Sequence, residues 1–174
     1  MIIETANLTL RPWAEDDAEC LYHFAKNPKI GPIAGWPPHK SVEDSLNIIK
    51  TVFSKRETYA IVKDDIPFGC VALLFHPDTN HWWGEDSAEL GYWVAEEYWG
   101  NNYATEASKA LIKRAFEELD VKEIYASYRA ENEQSKRVLE KLDFKYLNKL
   151  SNINYLGEEI CEIAVKLDKG DFDG

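Results

Sequence analysis

The sequence predicts a mixed α/β domain: one central twisted sheet with helices on both faces. Two patterns predict it. Short β-prone runs alternate along the chain with longer stretches whose apolar residues recur every three or four positions. No repeat, low-complexity tract or linker divides the 174 residues, and a chain of this length buries a full core. Residues 1–168 are read as one domain and 169–174 as a frayed polar tail.

Residues 8–13, Leu-Thr-Leu-Arg-Pro-Trp, read as a strand stopped by Pro12. Ala18, Leu21, Tyr22 and Ala25 then fall at helical spacing. Residues 27–38 hold four prolines and two glycines and are expected to be loop. Trp36 in that loop either lines a pocket or pins the loop to the core. Ser41 opens a second helix, with Asp44 three residues on and Val42, Leu46, Ile49 and Phe53 as its stripe. Residues 58–63 and 68–75 flank Asp64, Asp65 and Pro67 and read as a hairpin. His76 and His81 sit in a polar loop with no metal-ligand spacing and are expected to be solvated.

Residues 87–94 alternate. Ala88, Leu90, Tyr92 and Val94 share one face; Glu89, Gly91 and Trp93 share the other. A helix follows from Tyr103 to about Glu118, then a strand at 122–128. Asn132 caps a further helix with the stripe Ser135, Val138, Leu139 and Leu142. Strands at 144–150 and 160–167 close the chain, with Asn152, Asn154 and Gly157 as turn residues between them.

Net charge is −11, which disfavours nucleic acid and anionic membrane surfaces as partners. Residues 61–105 hold one lysine against eight acids, while 106–150 hold ten bases against nine acids. A cationic ligand suits the first stretch and a phosphate-bearing ligand the second. Cys20, Cys70 and Cys161 are far apart in apolar patterns, so neither disulfides nor a metal site is expected. The lack of a signal-like opening and of long apolar runs fits a reducing, cytoplasmic setting.

Residues 94–107 read as a strand end, a short loop with Gly100 and a helix start, the layout of an anion-binding nest. Three segments here resemble one known family. Tyr98-Trp99-Gly100-Asn101-Asn102-Tyr103-Ala104-Thr105-Glu106-Ala107 is similar to the acetyl-CoA motif of GCN5-related N-acetyltransferases (GNAT), in its RimJ/RimL-like form. Asn132-Glu133-Gln134-Ser135, running on to Leu142-Asp143-Phe144, resembles the family's Asn-x-x-Ser and Leu-Gly-Phe segment. The opening Leu8-Thr9-Leu10-Arg11-Pro12-Trp13 is the third. Asn102 and Asp143 stand where glycines are expected, and both residue types tolerate positive φ.

The resemblance implies a mostly antiparallel sheet of about seven strands. It implies an acetyltransferase that uses acetyl-CoA and no metal, with the acetyl group passing to a peptide N-terminus or a small amine in a ternary complex. A non-catalytic acyl-CoA-binding module on the same fold is the alternative, and a homodimer is compatible with either. Main-chain groups at Tyr92 and Val94 would pair with the pantetheine arm, and Asn132 would bond it or act as a plain cap. Trp99, Gly100, Asn101, Asn102, Ala104 and Thr105 would surround the pyrophosphate. Lys136 is the expected phosphate cation; Arg137 either joins it or pairs with Glu106. The Val94 amide is the expected oxyanion donor. Glu89 is the expected general base with Glu162 as second choice, and Ser135 the expected acid, because Leu139 replaces the tyrosine many relatives use. Trp36 and Trp93 are expected to touch the acceptor.

Overall fold

The computed structural model describes residues 1–174. The strands are β1 (Ile3–Glu4), β2 (Thr9–Arg11), β3 (Thr58–Lys63), β4 (Ile66–Leu74), β5 (Ser87–Val94), β6 (Glu123–Arg129), β7 (Lys145–Ile153) and β8 (Glu159–Asp168). They form one sheet in the order β1-β2-β3-β4-β5-β6-β8-β7. Every neighbouring pair is antiparallel except β5 and β6. The helices are α1 (Ala18–Ala25), α2 (Gly31–Ala34), α3 (Val42–Thr51), α4 (Tyr103–Glu118) and α5 (Glu133–Lys141).

Four local expectations are corrected. The sheet has eight strands rather than about seven because Ile3 and Glu4 pair with Leu10 and Thr9; two residues carry no periodicity to read. The Pro/Gly stretch at 27–38 contains α2, which tolerates Pro32 because the first turn needs no amide donor there. The hairpin turns on Asp64 and Asp65, both at positive φ, so Pro67 lies inside β4, next to a bulge at Phe68. The tail expected to fray is seated: Lys169 donates its amide to Lys122, Lys145 pairs with Asp171 at 2.6 Å, and the Phe172 ring meets Phe116.

Helix ends follow the sequence. The Ser41 hydroxyl accepts from the Asp44 amide at 3.1 Å, and the Asn132 side chain accepts from the Ser135 amide at 3.1 Å. Asn102 and Asp143 both adopt positive φ, as their replacement of glycine requires. Leu10, Leu21, Ile61, Phe68, Leu73, Leu111, Ile124 and Leu167 are fully buried between helices and sheet. Burial also pushes the Cys70 thiol up to about 12, which keeps it an inert core residue.

One ion pair lies deep in this core. Glu57, just before β3, takes the Arg114 guanidinium of α4 through both oxygens, at 2.9 and 3.1 Å. Tyr59 donates to the same carboxylate, and Arg114 also meets Glu118. The pair ties α4 to the start of the β3–β4 hairpin. Arg114→Ala leaves a 2% exposed carboxylate with only the exposed Arg56 at 3.5 Å as a cation. It should cost about 3–5 kcal/mol in urea unfolding, whereas replacing both partners by methionine should recover most of that loss.

Candidate functional site

The site begins with a gap in the sheet. β5 and β6 pair in register only at Ser87↔Glu123, Ala88↔Ile124 and Glu89↔Tyr125. Beyond that, β5 stays with β4 as far as Gly69↔Val94, and β6 stays with β8 as far as Arg129↔Glu162. The two strands therefore part, and a cavity of about 600 Å³ opens between them. The Ala95 amide donates to Phe68 on the β4 side. Alternation along the strand turns the Tyr92 and Val94 amides toward the gap.

Side chains alternate across this gap. On the first face lie Glu89, Gly91 and Trp93 of β5, Arg129 of β6 and Glu162 of β8, with α2 above them. Leu90 and Tyr92 lie on the second face, under α5. A Cβ built on Gly91 meets nothing within 4 Å, so glycine here keeps the first-face chamber open.

On the second face the α4 N-terminus faces the cavity. No amide from 100 to 105 donates to any acceptor, and the first intrahelical bond is from Glu106 to Asn102. Trp99 braces this loop by donating its indole N–H to the Val94 carbonyl at 2.7 Å. The Asn102 side-chain oxygen accepts from Lys141 of α5 at 2.9 Å. Arg137 and Lys141, one helical turn apart, line the cavity. These amides and cations fit a phosphate-bearing ligand.

Ser135 and Tyr92 form a hydroxyl pair at 2.8 Å on this face. Burial raises the Tyr92 phenol well above its ordinary range, although the Ser135 hydrogen bond opposes the shift. It stays protonated at neutral pH and orients the Ser135 hydroxyl, a side-chain role not expected from the sequence.

Several expected roles change. Glu89 is 3% exposed and its oxygens are filled: Asn80 donates both its side-chain and main-chain N–H, and the Trp83 indole donates at 2.8 Å. A carboxylate held by that many donors anchors the 76–86 loop rather than serving as a free base. Glu162, the second choice, lines the cavity and accepts from Asn152 at 3.0 Å. His81, expected to be solvated, is folded in with its Nε2 3.4 Å from Glu162. Nothing local in the sequence signals this contact, because the loop reaches Glu162 across β6.

Trp36 pins rather than lines. Its ring packs on Trp93 and His39, and it closes over Gly31, where a Cβ would approach to 2.6 Å. Trp93 does line the cavity. Lys136 pairs with Glu133 at 3.7 Å on the outer side of α5, leaving the phosphate face to Arg137 and Lys141. Arg137 does not pair with Glu106, whose carboxylate instead receives Thr5 and Asn7. Asn101 is exposed and caps the Tyr98 and Trp99 carbonyls.

A parted parallel pair beside a helix N-terminus makes a site for a ligand with its own amides and phosphates. The profile of the Acetyltransferase (GNAT) domain matches residues 7–145, and the chain belongs to that family. It is an acetyltransferase of that family. The uncharacterized N-acetyltransferase YoaA of Bacillus subtilis (strain 168) is 26% identical over 149 residues, covering 83% of this chain and 82% of its own. The acetyltransferase (GNAT family) of Bacillus anthracis superposes with a TM-score of 0.84 at 21% identity, covering 98% of this chain and 99% of that one. RimL, the ribosomal L7/L12 alpha-N-protein acetyltransferase solved with coenzyme A, gives 0.80 at 18% identity, covering 97% and 98%.

The anchoring role of Glu89 is checked by Glu89→Ala. Hydrogen exchange across residues 78–84 should accelerate selectively, with a stability loss of about 1–3 kcal/mol. Unchanged exchange in that loop would remove the role.

Proposed function

We propose that the chain transfers the acetyl group of acetyl-CoA to a primary amine by direct attack in a ternary complex. The observation that carries this reading is the break in β5–β6 pairing. One cavity reaches both faces of the sheet there, with free amides and cations on one side and a carboxylate on the other. Bound coenzyme supplies an activated thioester. The Tyr92 main-chain groups would take its pantetheine arm as an added strand does, with Asn132 alongside; the Val94 carbonyl is already held by Trp99, which leaves the Val94 amide for the thioester. The amides of 100–105, with Arg137 and Lys141, would take its phosphates.

The chain then has three tasks. An alkylammonium titrates near ~10, so a base must remove its proton before attack. Glu162, directly or through a water, is that base. The Val94 amide donates to the carbonyl oxygen as negative charge develops there. As the new C–N bond forms and the C–S bond breaks, the Ser135 hydroxyl gives a proton to the departing thiolate. Ser135 regains its proton from solvent, with the Tyr92 hydroxyl holding it in place at 2.8 Å. Two classes of acceptor fit this chemistry, peptide N-termini and small amines. The alpha-amine activity in the description of RimL supports the first.

Glu162→Gln tests the base. It should lower kcat/KM about 10²- to 10⁴-fold near neutral pH, with the defect shrinking where the amine is already free. Acetyl-CoA should still raise the variant's melting temperature by linkage. An intact rate at every pH removes Glu162 from the mechanism. In the same assay Asn102→Gly should keep cofactor affinity within about threefold, since the Asn102 backbone already sits at positive φ.

A further inference from the structure

Arg129 ends β6 on the first face of the sheet, next to the gap. Its side chain is only 14% exposed, and its one ionic neighbour is the exposed Glu131 at 3.7 Å. Its Nε is buried and meets no acceptor. A guanidinium withdrawn from water with its donors unfilled is costly, and a ligand that fills them recovers the cost.

Its register partner makes the vacancy specific. Arg129 lies directly opposite Glu162, and opposed side chains of neighbouring strands ordinarily touch. An arginine and a glutamate so placed would be expected to pair. Instead Glu162 turns to Asn152 and His81, and Arg129 stands unbridged beside it. The remaining first-face cation of the cavity, Lys29, is engaged by Glu96. Arg129 is therefore the positive charge still open in the acceptor chamber, about one cross-strand spacing, ~5 Å, from the proposed base. Ile33 and Ile160 supply apolar wall beside the two charges.

We propose that the acceptor carries a carboxylate within a few bonds of its amine, and that Arg129 binds that carboxylate. This rests on the acetyl-transfer reading above. An ammonium then meets Glu162 while the carboxylate meets the guanidinium fork, whose parallel N–H groups match its two oxygens. A diamine brings like charge to Arg129 and is disfavoured. The chemistry is that of a free amino acid with an apolar side chain, or of a peptide whose first residue is acidic.

The test measures CoA release with leucine, leucinamide and 3-methylbutylamine, and with peptides beginning Asp or Asn, each corrected for amine ionisation. The carboxylate-bearing member of at least one set should be favoured about tenfold or more in kcat/KM. Preference within the leucine set identifies a free amino acid; preference within the peptide pair identifies an acidic N-terminus. Arg129→Gln should collapse the favoured ratio toward one, and Arg129→Lys should restore part of it. Circular dichroism of both variants separates these effects from misfolding. Turnover without any carboxylate preference overturns this inference and leaves acetyl transfer standing. A ratio unmoved by Arg129→Gln in the folded variant overturns the role of Arg129. Loss of CoA affinity in calorimetry, equal for all acceptors, assigns Arg129 to the cofactor and overturns it as well. No turnover with any amine, despite acetyl-CoA binding, sinks the parent reading and this inference together.

Discussion

The structure depends on a conflict of partners at β5 and β6. Each strand has a second neighbour that holds it more extensively than they hold each other. β4 keeps β5 through six register pairs, and β8 keeps β6 through seven, against three between β5 and β6. When the sheet twists, the weakest seam opens. The consequence is a buried strand edge with free backbone groups, which a folded protein rarely tolerates. A ligand with its own amides resolves that debt, so the defect in the sheet and the binding site are the same feature.

Everything flanking the gap either holds it open or fills one side of it. Trp99 fixes the end of β5 by taking the Val94 carbonyl, which sets where α4 begins. The Glu57–Arg114 pair fixes the far half of α4 against the β3–β4 hairpin, so the free amides at its N-terminus point at the gap from a rigid element. Glu106 does similar work from the other side, drawing Thr5 and Asn7 onto the first turn of α4. Gly91 leaves the chamber floor bare. The order of these contacts follows the sheet, not the chain: residues about a hundred positions apart meet because β1 and β2 lie beside the hairpin.

This explains which parts of the molecule the sequence made legible. Elements with internal period were readable: α3, α4 and α5, the alternating β5, and the caps at Ser41 and Asn132 all match their patterns. So was the positive φ of Asn102 and Asp143, since the residue types advertise it. The one-turn α2 and the two-residue β1 were not, because neither is long enough to show a period. On the site, one-dimensional spacing named a strand and a helix that line the cavity but could not tell neighbouring or same-face side chains apart. Lys136 and Arg137 are adjacent, and only the packing of α5 on α4 shows that Arg137 faces the cavity. His81 was expected to be solvated and Arg129 was missed, since each meets Glu162 only through the fold, from a different element.

Glu89 and Glu162 show what decides such cases. Both are carboxylates on the same face of the sheet, and both line the chamber. A residue list does not tell them apart. What differs is how far the protein itself satisfies each charge. Glu89 receives three donors from Asn80 and Trp83, which tie the 76–86 loop to β5. Glu162 receives one amide donor and a histidine contact, and keeps capacity for a substrate proton. The same measure separates the cations: Lys29 is occupied by Glu96, whereas Arg129 is not occupied by the glutamate opposite it. A charge is available for function in proportion to what the fold leaves unpaired. By that measure the acceptor chamber holds one open anion and one open cation side by side, and its chemistry follows from the two together.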